Sequence, residues 1–216
     1  MKILLFGATG RTGRIILQKA LKDGHEVTAI VRDPSKINGT KANIVQGSPY
    51  DKKTVQKAMA GCDAVINTLN ISRTSDSPWA KLRSPKDLIS RTAQNAIDAM
   101  KENNTKRIIV MSTIGAGESK KKLPFIVKLV VGCSNLRHAF KDHTRQEEIL
   151  ANSDRNWTVI RFPMLTEEEG ENEILVNMND GTKINRNINR ETVARFILSI
   201  LGDEKYYKKV IAISNK

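Results

Sequence analysis

The sequence predicts an α/β fold built on a doubly wound, mostly parallel sheet with helices on both faces and a small C-terminal elaboration. Three observations carry this. Short apolar, β-branched runs alternate with helical segments from residue 2 to residue 163. A glycine-spaced turn, GATGRTG at 7–13, joins the first run to the first helical segment. The 216 residues, 39% of them hydrophobic, suit one substantial core.

The elements follow in order. KILLF (2–6) is an apolar strand ending at Gly7. RTGRIILQKALKDG is a helix, its apolar face supplied by Ile15, Ile16, Ala20 and Leu21, with Gly24 near its stop. EVTAIVR (26–32) and ANIVQG (42–47) are the second and third strands, and a helix covers 51–61. CDAVINTLN (62–70) is the fourth strand, 86–102 a long helix and KRIIVMST (106–113) the fifth strand. A helix at 135–151 leads to WTVIRFP (157–163), the sixth. Beyond it, 172–190 reads as short strands separated by an Asp-Gly turn, 191–203 as a helix and 208–214 as a last strand. With no repeat or low-complexity linker, the expectation is one domain over 1–216, with 164–190 as a small substrate-side elaboration.

The glycines have separable roles. Gly7 permits the sharp turn off the first strand, Gly10 lets the backbone approach a pyrophosphate, and Gly13 lets the helix pack closely on the sheet. The helix start offers free N–H groups and a positive dipole end. The spacing is GxxGxxG rather than GxGxxG. Its position between strand and helix predicts a Rossmann-type dinucleotide site, with Gly7, Thr9, Gly10, Arg11, Thr12 and Gly13 forming the phosphate-binding turn. At the end of the second strand, where an acidic residue favours NAD, the sequence is VRDPSK. Arg32, supported by Arg11, Ser35 and Lys36, can meet a 2′-phosphate, so NADP(H) is expected over NAD(H). Asp33 is then expected to turn away or cap the next turn.

GATGRTG (7–13), VRDPSK (31–36), DAVINTLN (63–70), RIIVMST (107–113) and WTVIRFP (157–163) together resemble the atypical short-chain dehydrogenases of the NmrA-like group. Within that group the likeness is greatest to biliverdin IXβ reductase/flavin reductase and to bacterial NAD(P)H-flavin reductase-like proteins, and it covers nearly the whole chain. The resemblance implies that Gly10, Arg11 and Thr12 hold the pyrophosphate, and that Arg32 and Lys36 hold the 2′-phosphate. Leu69 and Asn70 line the cofactor, Ser112 and Thr113 lie near the nicotinamide, and Pro163 backs it. Ser48 and Pro49 stand where the family usually has an Asp and an apolar residue beside the adenine. The resemblance also implies a histidine near the pocket mouth, His143. Ser112, Thr113 and His143 are therefore the candidate catalytic residues.

Conventional members of the wider superfamily use a Tyr and a Lys four residues later. Tyrosine occurs here only at 50, 206 and 207, none between the fifth and sixth strands. What remains suits hydride transfer to a flavin or similar planar conjugated acceptor, with a proton from solvent and the protein supplying proximity and orientation. The competing reading is a non-enzymatic NADP(H)-binding redox sensor of the NmrA-like type.

Other features narrow the partners. Net charge is +13, scattered apart from the lysines at 120–122, and with 5% aromatic residues no nucleic-acid stacking platform is expected. No apolar run reaches bilayer length, and Gly7 and Gly10 interrupt the N-terminal one, so a cytoplasmic, non-membrane protein is expected. Cys62 and Cys133 form no disulfide or zinc spacing, and no metal site is expected. The segment 115–132 reads either as a lid, with Phe125, Ile126, Leu129 and Val130 over a planar substrate, or as a helix packed on the core or another subunit. Trp79 either stacks on a flat ligand or plugs a loop. A monomer or weak homodimer is expected.

Overall fold

Alternation along the first strand decides the architecture. In β1 (Lys2–Phe6), Ile3 and Leu5 point to one side and Leu4 and Phe6 to the other, and all four are buried. A strand apolar on both faces needs cover on both faces, which is the condition of a parallel sheet between helical layers. The computed structural model describes residues 1–170 and 172–216.

After β1 the chain runs through α1 (Arg11–Lys22), β2 (Glu26–Val31), β3 (Asn43–Gln46), α2 (Lys52–Met59), β4 (Ala64–Asn67), α3 (Leu88–Glu102) and β5 (Arg107–Thr113). Then come α4 (Phe125–Cys133), α5 (Leu136–Ala151), β6 (Asn156–Phe162), β7 (Met164–Thr166), β8 (Ile174–Asn177), β9 (Asn187–Asn189), α6 (Arg190–Ser199) and β10 (Lys209–Asn215). The main sheet has eight strands in the order β3-β2-β1-β4-β5-β6-β10-β8. All neighbours are parallel except β8, which runs antiparallel along β10. The fold is thus the α/β Rossmann type, and the order reverses between β1 and β4, where such sheets open a crevice beyond the strand ends.

Two apolar layers flank the sheet. Ile16 and Leu17 of α1 pack with Val193 and Ile197 of α6 on one face. Val55 and Met59 of α2, Ala96 and Met100 of α3, and Leu150 of α5 cover the other. Asp51 caps α2 through the Thr54 amide at 3.0 Å, and Asn189 caps α6 through the Thr192 amide at 2.8 Å.

The strands up to 163 lie where the sequence predicts them, with ends moved by up to three residues. The tail differs in its pairing. Asn179 and Gly181 have positive φ at the Asp-Gly turn, yet the segments around it do not pair with each other. β8 joins the main sheet through β10, while β9 pairs in parallel with β7. The stretch 115–132 contains a 3-10 turn at Gly117–Lys122 followed by α4, which buries none of its residues. Among the described residues no helix is long and apolar enough to cross a membrane.

Candidate functional site

The first turn of the crevice is shaped by what its glycines exclude. Gly7 has φ +86°, and a Cβ there would lie 2.5 Å from Thr68 Oγ1. A Cβ on Gly13 would lie 2.0 Å from the Gly7 carbonyl oxygen, so α1 starts directly against the β1 turn. Gly10 is the N-cap of α1; its amide donates to the Gly7 carbonyl at 2.9 Å, and it brings no side chain to cap the first-turn amides. Those amides lack intrahelical partners by construction. Closely approachable backbone and open N–H groups fit a pyrophosphate. Thr12 is buried behind the turn, Thr9 half-buried and Arg11 exposed.

Cations gather around this turn. Arg11 pairs with Asp76 at 3.0 Å and with Glu167 at 3.2 Å. Arg190, the first residue of α6, is buried; its Nε donates to Glu167 at 2.9 Å and its Nη1 lies 3.5 Å from Thr12 Oγ1. The hydrogen bond from Arg190 holds the Glu167 carboxyl below its usual range, and Arg11 adds to the effect. Arg190 was not singled out by the sequence, because no motif marks it.

At the end of β2, Asp33 caps a 3-10 turn at Pro34–Ile37. Its Oδ1 accepts from the Ser35 amide at 3.1 Å and from the Ser35 hydroxyl at 2.6 Å. These bonds, the hydroxyl's first, hold its carboxyl below the usual range. Lys36 lies 3.9 Å from Asp33, and no carboxylate among the described residues pairs with exposed Arg32. In the turn after the neighbouring strand β3, Ser48 Oγ accepts from the Tyr50 amide at 3.2 Å, and the carbonyl of buried Pro49 accepts from Asn95 at 3.1 Å.

Beyond β4, Leu69 is half-buried and Asn70 exposed, the latter accepting from the Ile71 amide at 2.8 Å. Asn67 donates to Gln146 Oε1 at 2.9 Å, and Gln146 donates to the Met111 carbonyl at 3.1 Å, tying α5 to the sheet. Ser112 is buried, and its hydroxyl donates to Glu147 at 2.7 Å. Arg161 bridges Glu147 at 2.5 Å and Glu118 at 2.6 Å. Its hydrogen bond brings the Glu118 carboxyl down to about 2. Thr113 and Pro163 are half-buried, and the Thr113 hydroxyl donates to the Ile114 carbonyl at 3.3 Å.

His143 lies inside rather than at a mouth. It is 4% exposed on the inward face of α5, its Nδ1 has no partner among the described residues, and burial lowers its pKa to about 4. The imidazole is neutral at pH 7. Tyr50 donates to Asp87 at 3.0 Å, Tyr207 stacks under Arg107 at the start of β5, its ring 4.8 Å away, and the Tyr206 carbonyl accepts from Thr158 near the start of β6, so none of the three stands at the carboxyl ends of β5 and β6. Sequence reasoning missed the Glu118–Arg161–Glu147 chain; the only local signal was charge at positions 142 and 147 on an otherwise inward helix face. A groove of about 440 Å³ between α3 and α5, lined by Ser90, Ile97 and Ile149 among others, contains none of these groups. Among the described residues no cluster of His, Cys, Asp and Glu could hold a metal.

The sequence profile of the NAD(P)H-binding family matches residues 7–204. Curated relatives match over shorter stretches. An uncharacterized protein of Bacillus subtilis is 40% identical over 67 residues, 31% of this chain and 30% of that protein. Phenylcoumaran benzylic ether reductase of Nicotiana tabacum is 29% identical over 86 residues, 35% of this chain and 28% of that protein. The matched region is thus under a third of either relative. Solved structures align over the whole chain. The oxidoreductase ylbE of Lactococcus lactis has a TM-score of 0.79 at 21% identity, covering 100% of this chain and 91% of that one. ChuY of Escherichia coli, described as an anaerobillin reductase, has 0.78 at 20%, covering 100% and 97%. A short-chain dehydrogenase/reductase of Veillonella parvula, solved with NADP, has 0.78 at 16%, covering 99% and 94%. What these structures share with the chain is the fold.

Proposed function

The chain belongs to the NAD(P)H-binding family, and from that premise we propose an NADPH-dependent reductase that passes a hydride to a flavin or similar planar conjugated acceptor. The observation that carries the reading is the chemistry at the carboxyl ends of β5 and β6. No tyrosine stands there, and the buried Ser112 hydroxyl is already given to Glu147, itself held by Arg161. A reaction that needs a proton donor from the protein finds none there; one that takes its proton from solvent needs only orientation.

Bound NADPH supplies the hydride. Gly10, Arg11 and Thr12 take the pyrophosphate, with buried Arg190 adding positive charge behind Thr12. Arg32 and Lys36 take the 2′-phosphate, an assignment supported by Asp33 folding onto Ser35. Ser48 and Pro49 flank the adenine, and Leu69 and Asn70 line the crevice. Thr113 and Pro163 bound the nicotinamide, and Ser112 fixes the strand end against α5. ChuY's description as an anaerobillin reductase supports a flat, conjugated acceptor.

The test is NADPH oxidation with FMN, FAD, riboflavin, biliverdin and small quinones, with NADH in parallel. Turnover above the protein-free rate, lost with NADPH in Arg32→Glu, is the expected result. Tight NADPH binding by calorimetry with no acceptor reduced overturns the reductase reading. That outcome favours the redox-sensor reading, to which the missing proton donor is equally suited.

A further inference from the structure

One face of the molecule is left without a role by the cofactor site. α4, FIVKLVVGC, rests none of its nine residues in the core. Phe125 is 79% exposed, Ile126 73% and Leu129 55%. Trp79 is 62% exposed and its loop docks at the α4–α5 junction, where Asn135 donates from its amide to the Pro78 carbonyl and from its side chain to the Trp79 carbonyl. Three large apolar side chains therefore project from α4 into water, and a fourth is exposed on the loop docked at its C-terminal end, which soluble surfaces rarely tolerate without a use.

The charge around them is mostly basic, the nearest acids being Asp76 and Glu118, paired with Arg11 and Arg161, and Asp87 and buried Asp142, hydrogen-bonded to Tyr50 and Ser90. From 119 to 141 the sequence contains six basic residues and no acid; from 77 to 86 it contains three more and again no acid. The Asn135 contacts bring these two segments together. His138 registers the result: burial and then the nearby Lys86, Arg137 and Lys141 lower its pKa.

We propose that α4 and the Trp79 loop form an interfacial anchor that seats the protein on an anionic phospholipid bilayer. Phe125, Ile126, Leu129 and Trp79 enter the boundary between headgroups and acyl chains, and the lysines at 120–122 meet the lipid phosphates. Apolar insertion plus a polybasic patch are the two signals that stable surface attachment requires. α4 is too short to span, so the attachment is peripheral. The alternatives fit less well. Phe125 and Trp79 are aromatic, yet Ile126 and Leu129, exposed beside Phe125, are aliphatic and offer no stacking surface to a nucleic acid, and a two-fold contact between copies through this face would set lysines against lysines. The proposal is independent of which acceptor the cofactor site serves.

Vesicle flotation tests it on the full chain, with phosphatidylcholine alone and with phosphatidylcholine containing phosphatidylglycerol. The protein is expected to float only with the anionic vesicles and to detach as salt rises. F125S/I126S/L129S and K120Q/K121Q/K122Q are each expected to lower partitioning on the order of tenfold or more, with NADPH binding and melting temperature unchanged. Of the two tryptophans only Trp79 is exposed, so a blue shift on adding anionic vesicles reports its insertion. Absence of flotation at low salt overturns the proposal. So does an apolar triple variant that floats as well as the parent. Binding of oligonucleotides without vesicle binding, self-association lost in the apolar variant without flotation, or a loss confined to acceptor turnover overturns it in favour of a nucleic-acid face, a subunit contact or a substrate lid.

Discussion

Gly13 is the residue on which the glycine turn depends most. A methyl group there would stand 2.0 Å from the Gly7 carbonyl oxygen, backbone against which nothing can yield cheaply. Gly13→Ala is expected to destabilise the fold by about 1–3 kcal/mol and to abolish NADPH binding, measured by urea melts and calorimetry. Gly10→Ala meets the same oxygen at 3.2 Å and should cost less stability while still hindering phosphate approach. The close packing at Gly7 and Gly13 was legible in the sequence because it belongs to one local turn. The acid pair over Arg11 was not, since Asp76 and Glu167 come from loops 65 and 156 residues away. Both carboxylates occupy a cation proposed for the pyrophosphate, and Glu167 also holds buried Arg190, to which a glutamine still offers its carbonyl oxygen. Glu167→Gln with Asp76→Asn is therefore expected to tighten NADPH binding roughly two- to fivefold, in line with about 0.2–1 kcal/mol for exposed pairs. Weaker binding in that double variant would assign the acids to holding Arg11 in place instead.

At the scale of elements, α5 is the joint between the sheet and the crevice. Between buried Ala139 and Leu150 its inward residues are polar: Asp142 takes the first-turn amides of α3, Gln146 bonds Asn67, and Glu147 bonds Ser112 and Arg161. Burial pushes the Asp142 carboxyl up despite the hydrogen bonds from Ser90 and Ile89. Glu147→Ala leaves Arg161, only 5% exposed, with Glu118 as its one remaining carboxylate. The expected cost is about 3–5 kcal/mol, read as a shift in the urea midpoint. Glu118→Ala, removing a partner that is 64% exposed, should cost much less. The helix itself was readable from its length and periodicity. Its polar inward face was not, because a buried carboxylate is recognised only through partners from other elements. The pairing of β8 and β9 escaped for the same reason: the Asp-Gly turn marks where the chain bends, while the strand it then joins lies elsewhere in the sheet.

For the molecule as a whole, the alternation of short apolar runs with helical segments was enough to set the layers. The basic face did not appear in the same way, because its two segments lie in separate loops, brought together only by docking at Asn135. Charge and burial then act jointly on stability in acid. The folded chain keeps His143 neutral down to about pH 4, whereas an unfolded chain protonates it near 6.5. Between those values the unfolded state binds more protons, so stability falls as pH drops from 6.5 to about 4. One such group changes stability by at most about 1.4 kcal/mol per pH unit. Below 4.5, Glu118 joins in the same direction: its folded pKa of about 2 means that its contribution is lost as pH falls from 4.5 towards 2. Each proton taken up also adds to a net charge already at +13. His143→Phe keeps an aromatic side chain in the buried site and removes the titration. Urea unfolding at pH 7, 5.5 and 4.5 is expected to show a steeper decline in the parent than in the variant, with the curves parallel above pH 7. Equal slopes across that window would mean that His143 is protonated in the folded chain at its ordinary pKa, with water or movement of α5 reaching Nδ1.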